Sequence, residues 1–266
     1  MDRYARATMP EFCSVQSDDT ILTVTIERPE VMNALHTEAS IELGEIFDAF
    51  EADTQHRVAI ITGAGERAFC AGLDLKGQAQ SQGLPVWPLT GFAGLTERYG
   101  GTKPIIAAVN GIAAGGGFEI ALACDLVVAS DKAKFSLPEP RIGLAAVAGG
   151  IHRLSRQIPL KHAMGILLTG RRVGAAEGVD LGFVNEVVAP ADLMDCARRW
   201  AGQIAEAAPL SILATKECAI EGMRFGTVKD AMNAKYPALE RMVGSEDFLE
   251  GPKAFVEKRK PEWKGR

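Results

Sequence analysis

The stretch IIAAVNGIAAGGGFEIALACD, from Ile105 to Asp125, carries the pattern that decides the fold. It predicts a buried strand over Ile105–Val109, a turn at Asn110-Gly111, and a short helix after the run Gly115–Gly117. Consecutive glycines let the backbone approach a bound molecule closely, and a helix beginning there directs unpaired N–H groups and its positive dipole end to the same point. We therefore expect this turn to stabilise a developing negative charge.

Glu119 lies about one turn inside this otherwise apolar helix. A buried glutamate is rare unless it is paired or catalytic, because desolvation opposes its charge and raises its pKa toward the range useful for acid–base chemistry. From this stretch alone two interpretations stay open. Glu119 is either a catalytic group or a structural carboxylate that caps N–H groups or pairs with an arginine.

The overall composition is that of a globular protein with one large domain, or with one core and a smaller appendage. The chain has 266 residues, 47% of them hydrophobic, and a length of this order is sufficient for a substantial core. Its formal net charge of −5 and pI near 5.5 give no support to nucleic-acid binding, which favours a basic surface.

The five cysteines are scattered and form no CxxC pair, so the sequence indicates neither a disulfide framework nor a zinc site. A reducing compartment fits this usage. The N-terminus has no apolar stretch of signal-peptide length, and no run is long enough to span a membrane. We expect a cytoplasmic protein without a membrane partner.

Strand patterns alternate with helical ones through the first two-thirds of the chain, at Ile21–Glu27, Val58–Thr62 and Asp125–Ser130 among others. Helical patterns dominate after Leu160. This order predicts an α/β core followed by a helical subdomain. Within the first part, Gly77–Lys103 loses periodicity and is equally consistent with a mobile surface loop or a pocket wall.

Glycines elsewhere do not form a nucleotide-binding motif. No GxGxxG opens a helix, and no GxxxxGK[ST] occurs. We interpret Gly72 instead as a position of unusual backbone geometry that exposes the N–H of the next residue.

Six blocks in one order resemble the crotonase, or enoyl-CoA hydratase/isomerase, superfamily. The resemblance extends from Ile21 to the C-terminus, and the blocks are ERPEVMNAL, ITGAGERAFCAGLDL, KPIIAAVNGIAAGGGFEIALACD, FSLPEPRIGL, LTGRRVGAAEGVDLGFVNEVV and EGPKAFVEKRKP. It implies an α/β fold made of a spiral of ββα units over residues 1–195, and a C-terminal helical trimerisation subdomain over residues 196–266. A homotrimer, or a hexamer made of two trimers, is the oligomer that the resemblance implies.

The resemblance also implies the substrate and its binding groups. The family polarises the carbonyl of an acyl-CoA thioester with two backbone N–H groups, which match Leu73 and Gly116 here. Ala71, Asp74 and Leu75, next to the first amide, are expected to contact the substrate. The glycine positions themselves also predict exposed backbone N–H groups at Leu73 and at Gly116. In general, loss of one such donor costs ~2.7–4 kcal/mol.

At the C-terminus, Phe255 and Lys258 match positions that contact coenzyme A, often across a subunit boundary. A lysine is a suitable point charge for phosphate. Coenzyme A is part of the substrate, so the implied chemistry needs no metal and no cofactor.

Hydratases of this family place two glutamates on opposite sides of a bound water, and these match Glu119 and Glu139. Their presence favours syn addition of water to a 2-enoyl-CoA, with Glu119 activating the water and Glu139 protonating the α-carbon. Two neighbouring carboxylates have pKa values pushed apart, which leaves one as base and one as acid. The structural alternative for Glu139 is an exposed loop acid that pairs with Arg141.

One departure from the pattern is the Ala146-Val147 pair, where hydratases commonly have Pro-Gly. We expect the Val147 N–H to remain able to hold the water while its side chain narrows the site. His152 and Cys70, which adjoin the site in sequence, are interpreted as structural residues.

The leading hypothesis is therefore an enoyl-CoA hydratase of the hydro-lyase class. Alternatives of the same fold are an enoyl-CoA isomerase and a hydratase-lyase for aromatic side chains, with Trp87–Tyr99 supplying an aryl pocket. A protein that binds acyl-CoA without turnover is the alternative outside enzymes, and the two glutamates argue against it.

Overall fold

The computed structural model describes residues 10–80, 86–99 and 103–266. Its strands are β1 (Cys13–Asp18), β2 (Ile21–Ile26), β3 (Val58–Gly63), β4 (Ala68–Cys70), β5 (Ile105–Val109), β6 (Ile112–Ala114), β7 (Leu126–Ser130), β8 (Lys134–Ser136), β9 (Val173–Gly174) and β10 (Glu186–Val188). Its α-helices are α1 (Thr37–Ala52), α2 (Leu75–Gln80), α3 (Gly116–Ala123), α4 (Gly150–Gln157), α5 (Leu160–Thr169), α6 (Ala175–Leu181), α7 (Leu193–Ala205), α8 (Pro209–Gly222), α9 (Val228–Asn233), α10 (Pro237–Val243) and α11 (Glu246–Glu257). The predicted α/β class is confirmed.

The larger sheet has the strand order β1-β2-β3-β5-β7-β10. Every residue of β3 and β5 is buried, which is the pattern of strands covered on both faces. The β1–β2 pair is antiparallel, and the pairs from β2 to β10 are parallel. The predicted strand Ile105–Val109 therefore lies in the middle of the core.

A second sheet, of order β4-β6-β8-β9, positions the candidate site. The strands β4, β6 and β8 are parallel, so their carboxyl ends, at Cys70, Ala114 and Ser136, meet at one edge. The segments that follow them carry the amides and the carboxylates singled out in the sequence. This edge brings the three segments together.

Residues 86–99 of the aperiodic segment pack against α1 as a wall of the core. Phe92, Ala93 and Leu95 are buried, and Gly94 lies so close to α1 that a methyl group on it would overlap the Gly44 backbone. The remainder of the predicted loop includes residues 81–85 and 100–102, which lie outside the described residues.

The helices after residue 190 follow the helical pattern of the sequence. The predicted division after residue 195 falls within α7, whose buried Leu193, Cys196, Ala197 and Ala201 pack against the larger sheet; the division itself remains a prediction. None of the helices in the described ranges has the length and apolar character needed to cross a membrane.

Candidate active site

The glycine run forms the floor of the site. Gly115 has φ +55°, and α3 begins at Gly116, inside the run rather than after it. The Gly115 N–H donates to the Ser136 carbonyl at 2.9 Å, which ties the start of the helix to the end of β8. A methyl group on Gly117 would overlap the Cys70 carbonyl oxygen, so only glycine allows α3 to lie this close to β4.

The two predicted oxyanion segments are in backbone contact. Gly72 has φ +90°, and a Cβ there would lie 2.7 Å from the Ala114 carbonyl oxygen and 2.9 Å from the Gly116 nitrogen. Within the described ranges, neither the Leu73 nor the Gly116 N–H donates to a protein acceptor. Two unpaired N–H groups therefore come from adjacent segments, which is the arrangement that an oxyanion needs.

Leu73 is held in place by its neighbours across the chain. The Leu35 N–H donates to the Gly72 carbonyl at 2.8 Å, and the Asp74 N–H donates to the Leu35 carbonyl at 2.9 Å. This short bridge between Leu35 and Leu73 fixes the peptide on both sides of the Leu73 N–H.

Glu119 is buried, with 4% of its surface exposed, in the first turn of α3. Its Oε1 accepts the Gly150 N–H at 2.9 Å. Burial raises the pKa of Glu119 to about 7, and the charge of Glu139 adds to this rise, while the Gly150 N–H and Arg153 act against it. A carboxyl group with this pKa exchanges a proton near neutral pH, as a general acid–base group requires.

Glu139 begins a 3₁₀ turn, Glu139–Ile142, and its side chain lies against the glycine run. A Cβ on Gly115 would lie 3.0 Å from its Oε1, and its buried Oε2 has no hydrogen-bond partner among the described residues. Burial raises the pKa of Glu139 above its ordinary value. The structural alternative is not supported, because the Arg141 Nε donates to the Thr169 carbonyl at 2.8 Å and not to Glu139.

The Ala146-Val147 pair differs from expectation. Ala146 is buried, and Val147 is 81% exposed. The Val147 N–H donates to the Ala145 carbonyl at 2.8 Å, so in this arrangement it is already engaged and does not hold a water. The backbone amide near Val147 that does face the site is the Gly150 N–H, which donates to Glu119.

Asp74 ties down the oxyanion loop. Its Oδ1 accepts the Gly77 N–H at 3.1 Å at the start of α2, and its Oδ2 pairs with Arg28 at 3.2 Å. Although burial opposes its charge, the Gly77 N–H and Arg28 together hold the pKa of Asp74 below its usual value. Ala71 and Leu75 flank this loop, with the Ala71 N–H donating to the Met32 carbonyl and Leu75 48% exposed; their substrate contacts remain predictions.

Asp74→Asn is expected to lower the free energy of unfolding by about 1–3 kcal/mol, because it leaves the largely buried Arg28 charge without its partner. The pKa of Asp74 is lowered in the folded state, so its contribution to stability is present above the unfolded pKa and lost as the pH falls through the folded one. Denaturant unfolding of wild type and variant between pH 7 and pH 3 measures both effects. Asp195→Asn, which removes an exposed ion pair with Arg198, is the control and should change stability by less than ~0.5 kcal/mol; equal losses in the two variants would contradict the assignment.

Two site residues, Arg28 and Arg153, were not singled out from the sequence, and the contact of Phe92 with the glycine run adds detail to the predicted Trp87–Tyr99 aryl segment. Arg28, in the block ERPEVMNAL, pairs with Asp74. Phe92, 3% exposed, lies over Gly116 so that a methyl group on this glycine would overlap the ring, and Trp87 contacts Phe92 edge to face at 5.1 Å. Arg153 lies three residues after Gly150, and the glycine pair Gly149-Gly150 before it was the available signal.

Among the described residues, the remaining residues singled out from the sequence form no hydrogen bond with Glu119 or Glu139. Phe255, on α11, is 84% exposed, and Lys258 forms the C-cap of that helix with φ +53°; a role in coenzyme A binding remains a prediction. His152 is exposed on α4. Burial raises the pKa of the Cys70 thiol to about 12, as expected for a structural cysteine.

Comparison with known proteins agrees with this geometry. The family model for enoyl-CoA hydratase/isomerase matches residues 16–266. The chain is 47% identical over 259 residues to a carnitinyl-CoA dehydratase of Proteus mirabilis, covering 93% of this chain and 96% of that one. It is 45% identical over 267 residues to a carnitinyl-CoA dehydratase of Escherichia coli K12, covering 97% and 100%.

Solved structures show the same fold. The enoyl-CoA hydratase of Mycobacterium tuberculosis H37Rv superposes with a TM-score of 0.88 at 38% identity, covering 96% of this chain and 99% of that one. The enoyl-CoA hydratase of Mycobacterium marinum gives a TM-score of 0.89 at 38% identity with the same coverage. The crotonase fold expected from the motif blocks is thus confirmed, and the chain belongs to the enoyl-CoA hydratase/isomerase family.

Proposed function

We propose that this protein adds water reversibly to a 2-enoyl-CoA to form a 3-hydroxyacyl-CoA. The observation that carries the proposal is the placement of two carboxyl groups at one glycine turn: the buried Glu119 in the first turn of α3, and the half-buried Glu139, whose Oε1 would lie 3.0 Å from a Cβ on Gly115. An isomerase needs a single group that moves one proton, whereas water addition needs both a base and an acid.

In the forward reaction Glu119 takes a proton from water as the water oxygen bonds to C3 of the enoyl group. The electron pair of the double bond moves toward the thioester carbonyl, whose oxygen becomes an enolate held by the N–H groups of Leu73 and Gly116. Glu139 then gives its proton to C2. The same steps in reverse remove water from a 3-hydroxyacyl-CoA.

The relatives give one specific candidate for the acyl group. Proteins with 45–47% identity over nearly the whole chain are named carnitinyl-CoA dehydratases, which favours dehydration of carnitinyl-CoA as the direction and substrate to examine first. Trp87 and Phe92, packed edge to face beside Gly116, are suited to line the acyl pocket.

The test is the change in conjugated-thioester absorbance with a panel of short, long and aryl 2-enoyl-CoAs together with carnitinyl-CoA, with products identified by mass. Gain or loss of one water supports the proposal. A shifted double bond would indicate an isomerase, and an aldehyde plus acetyl-CoA would indicate a hydratase-lyase. Tight binding of coenzyme A esters without any turnover would indicate a protein that binds acyl-CoA and does not catalyse a reaction.

We also propose that the chain assembles as a homotrimer or as a hexamer of two trimers. The support is a series of exposed apolar side chains on the C-terminal helices, which include Ile220, Met223, Met232, Leu249, Phe255 and Val256. Patches of this kind on soluble proteins mark interaction surfaces. Light scattering during size-exclusion chromatography gives the mass directly, and a monomeric mass would contradict the proposal.

A further inference from the structure

The Arg153 side chain folds back over the turn that precedes its own helix. Gly149, the N-cap of α4, has φ +102°, and a methyl group there would overlap Nη1 of Arg153. The guanidinium therefore lies directly on the Gly149 backbone. The next residue, Gly150, donates its N–H to Glu119 at 2.9 Å, so the turn beneath Arg153 is the one that supports the catalytic carboxylate.

The same guanidinium reaches a second element. Arg153 Nη2 donates to the Thr96 carbonyl at 2.8 Å, in the segment that also carries Phe92. Phe92 in turn covers Gly116, at the start of α3. The Arg153 side chain thus connects the turn that holds Glu119 to the segment whose Phe92 covers Gly116, the residue of a candidate oxyanion N–H.

Charged and polar groups face Glu119 from each element packed around it. These are the Glu139 carboxylate from the 3₁₀ turn, the Gly150 and Ala148 backbone from the approach to α4, and the Arg153 guanidinium from α4 itself. Burial and Glu139 disfavour the ionised form, and Arg153 supplies an opposing positive charge.

We propose that Arg153 is a positioning residue for the reaction. Its guanidinium holds the Gly149-Gly150 turn against the Thr96 carbonyl, which maintains the hydrogen bond from the Gly150 N–H to Glu119. Its positive charge also keeps a fraction of Glu119 ionised, and so able to act as a base, at neutral pH. This inference rests on the proposed function, because it assumes that Glu119 is the base.

The test compares Arg153→Met, Arg153→Lys and Arg156→Met by the pH dependence of kcat/KM. Arg156 is exposed, lies on the same helix and donates to the His152 carbonyl, so its replacement removes an equal charge away from the site. Activity should rise with pH as Glu119 loses its proton while Glu139 keeps its own, with an acidic limb expected near the Glu119 pKa of about 7.

Loss of the Arg153 charge raises the pKa of Glu119, so Arg153→Met should move the acidic limb upward by about 0.5–1 pH unit and lower activity at pH 7 by about two- to fivefold. Arg153→Lys keeps the positive charge and should leave the acidic limb where it is in wild type. It should not reach the full kcat, because an ammonium lacks the planar set of N–H donors with which a guanidinium holds two partners at once. Arg156→Met should match wild type. An unmoved limb in Arg153→Met, or an equal shift in Arg156→Met, would overturn the inference.

A direct titration separates this inference from the proposed function. Carboxyl signals of ¹³C-labelled glutamate, with Glu119 assigned by its loss in Glu119→Gln, report the pKa without any substrate. A higher Glu119 pKa in Arg153→Met supports the inference even if no substrate on the panel turns over. An unchanged Glu119 pKa in a variant with wild-type circular dichroism refutes it, whatever the outcome of the activity assay.

Discussion

Glu119→Gln is expected to reduce water addition by about 10²–10⁴-fold, the range usual for loss of a general acid–base group. The amide oxygen of glutamine can still accept the Gly150 N–H, so the hydrogen bond at this position is preserved. It cannot accept a proton from water. The loss should therefore lie in kcat, with little change in binding of the thioester.

The pH profile gives a second readout of the same variant. Wild type is expected to show an acidic limb near pH 7, because burial raises the pKa of Glu119 to about 7. In Glu119→Gln this limb should disappear from any residual activity, because the group that titrates there is gone. Glu139→Gln should also abolish most turnover and, by removing the neighbouring charge, lower the pKa of Glu119. Glu66→Gln, on an exposed loop, is the matched control, and wild-type kcat in Glu119→Gln would falsify the assignment of Glu119 as the base.

Gly116→Ala is expected to lower kcat/KM by about 10²–10³-fold, the usual effect of losing one oxyanion donor. The added methyl group would overlap the Phe92 ring. Phe92 is almost fully buried, so it cannot swing into solvent without opening the packing against α1. The start of α3 must therefore shift, and with it the Gly116 N–H.

The steric explanation can be separated from a general effect of alanine. Combining Gly116→Ala with Phe92→Leu makes space for the methyl group and should recover about tenfold of the lost activity, within the range that one restored donor supplies. Gly165→Ala, in α5 where nothing lies near an added Cβ, should behave as wild type. No recovery in the double variant, with both proteins folded, would show that the ring is not the obstacle.

The elements of the core were predictable because their patterns are local. The apolar run Ile105–Val109 reads directly as a strand covered on both faces, and the burial of Glu119 follows from its apolar neighbours in α3. The six motif blocks indicated the family from the sequence alone, and the family model and the solved structures confirm it.

Long-range contacts were not predictable in the same way. Arg28 meets Asp74 across 46 residues, and Arg153 meets Thr96 across 57. Neither pair has a local signature, since only the completed sheets bring the segments together. The helix start at Gly116 is likewise set by a tertiary contact, with β8. The Val147 N–H is instead engaged by a local turn with Ala145, which the residue types there do not indicate.

The floor of the site is built from main chain, where Gly72, Gly116 and Gly117 lie against neighbouring backbone or a buried ring. Almost any side chain at these three glycines would overlap its neighbours, so neither natural nor directed evolution can readily substitute them. Selection for a new acyl group should therefore accumulate changes in the 86–99 wall, where side chains such as the half-buried Trp87 can vary without moving the amides. The chemistry and the substrate range of this protein can then diverge at different rates, because separate parts of the chain encode them.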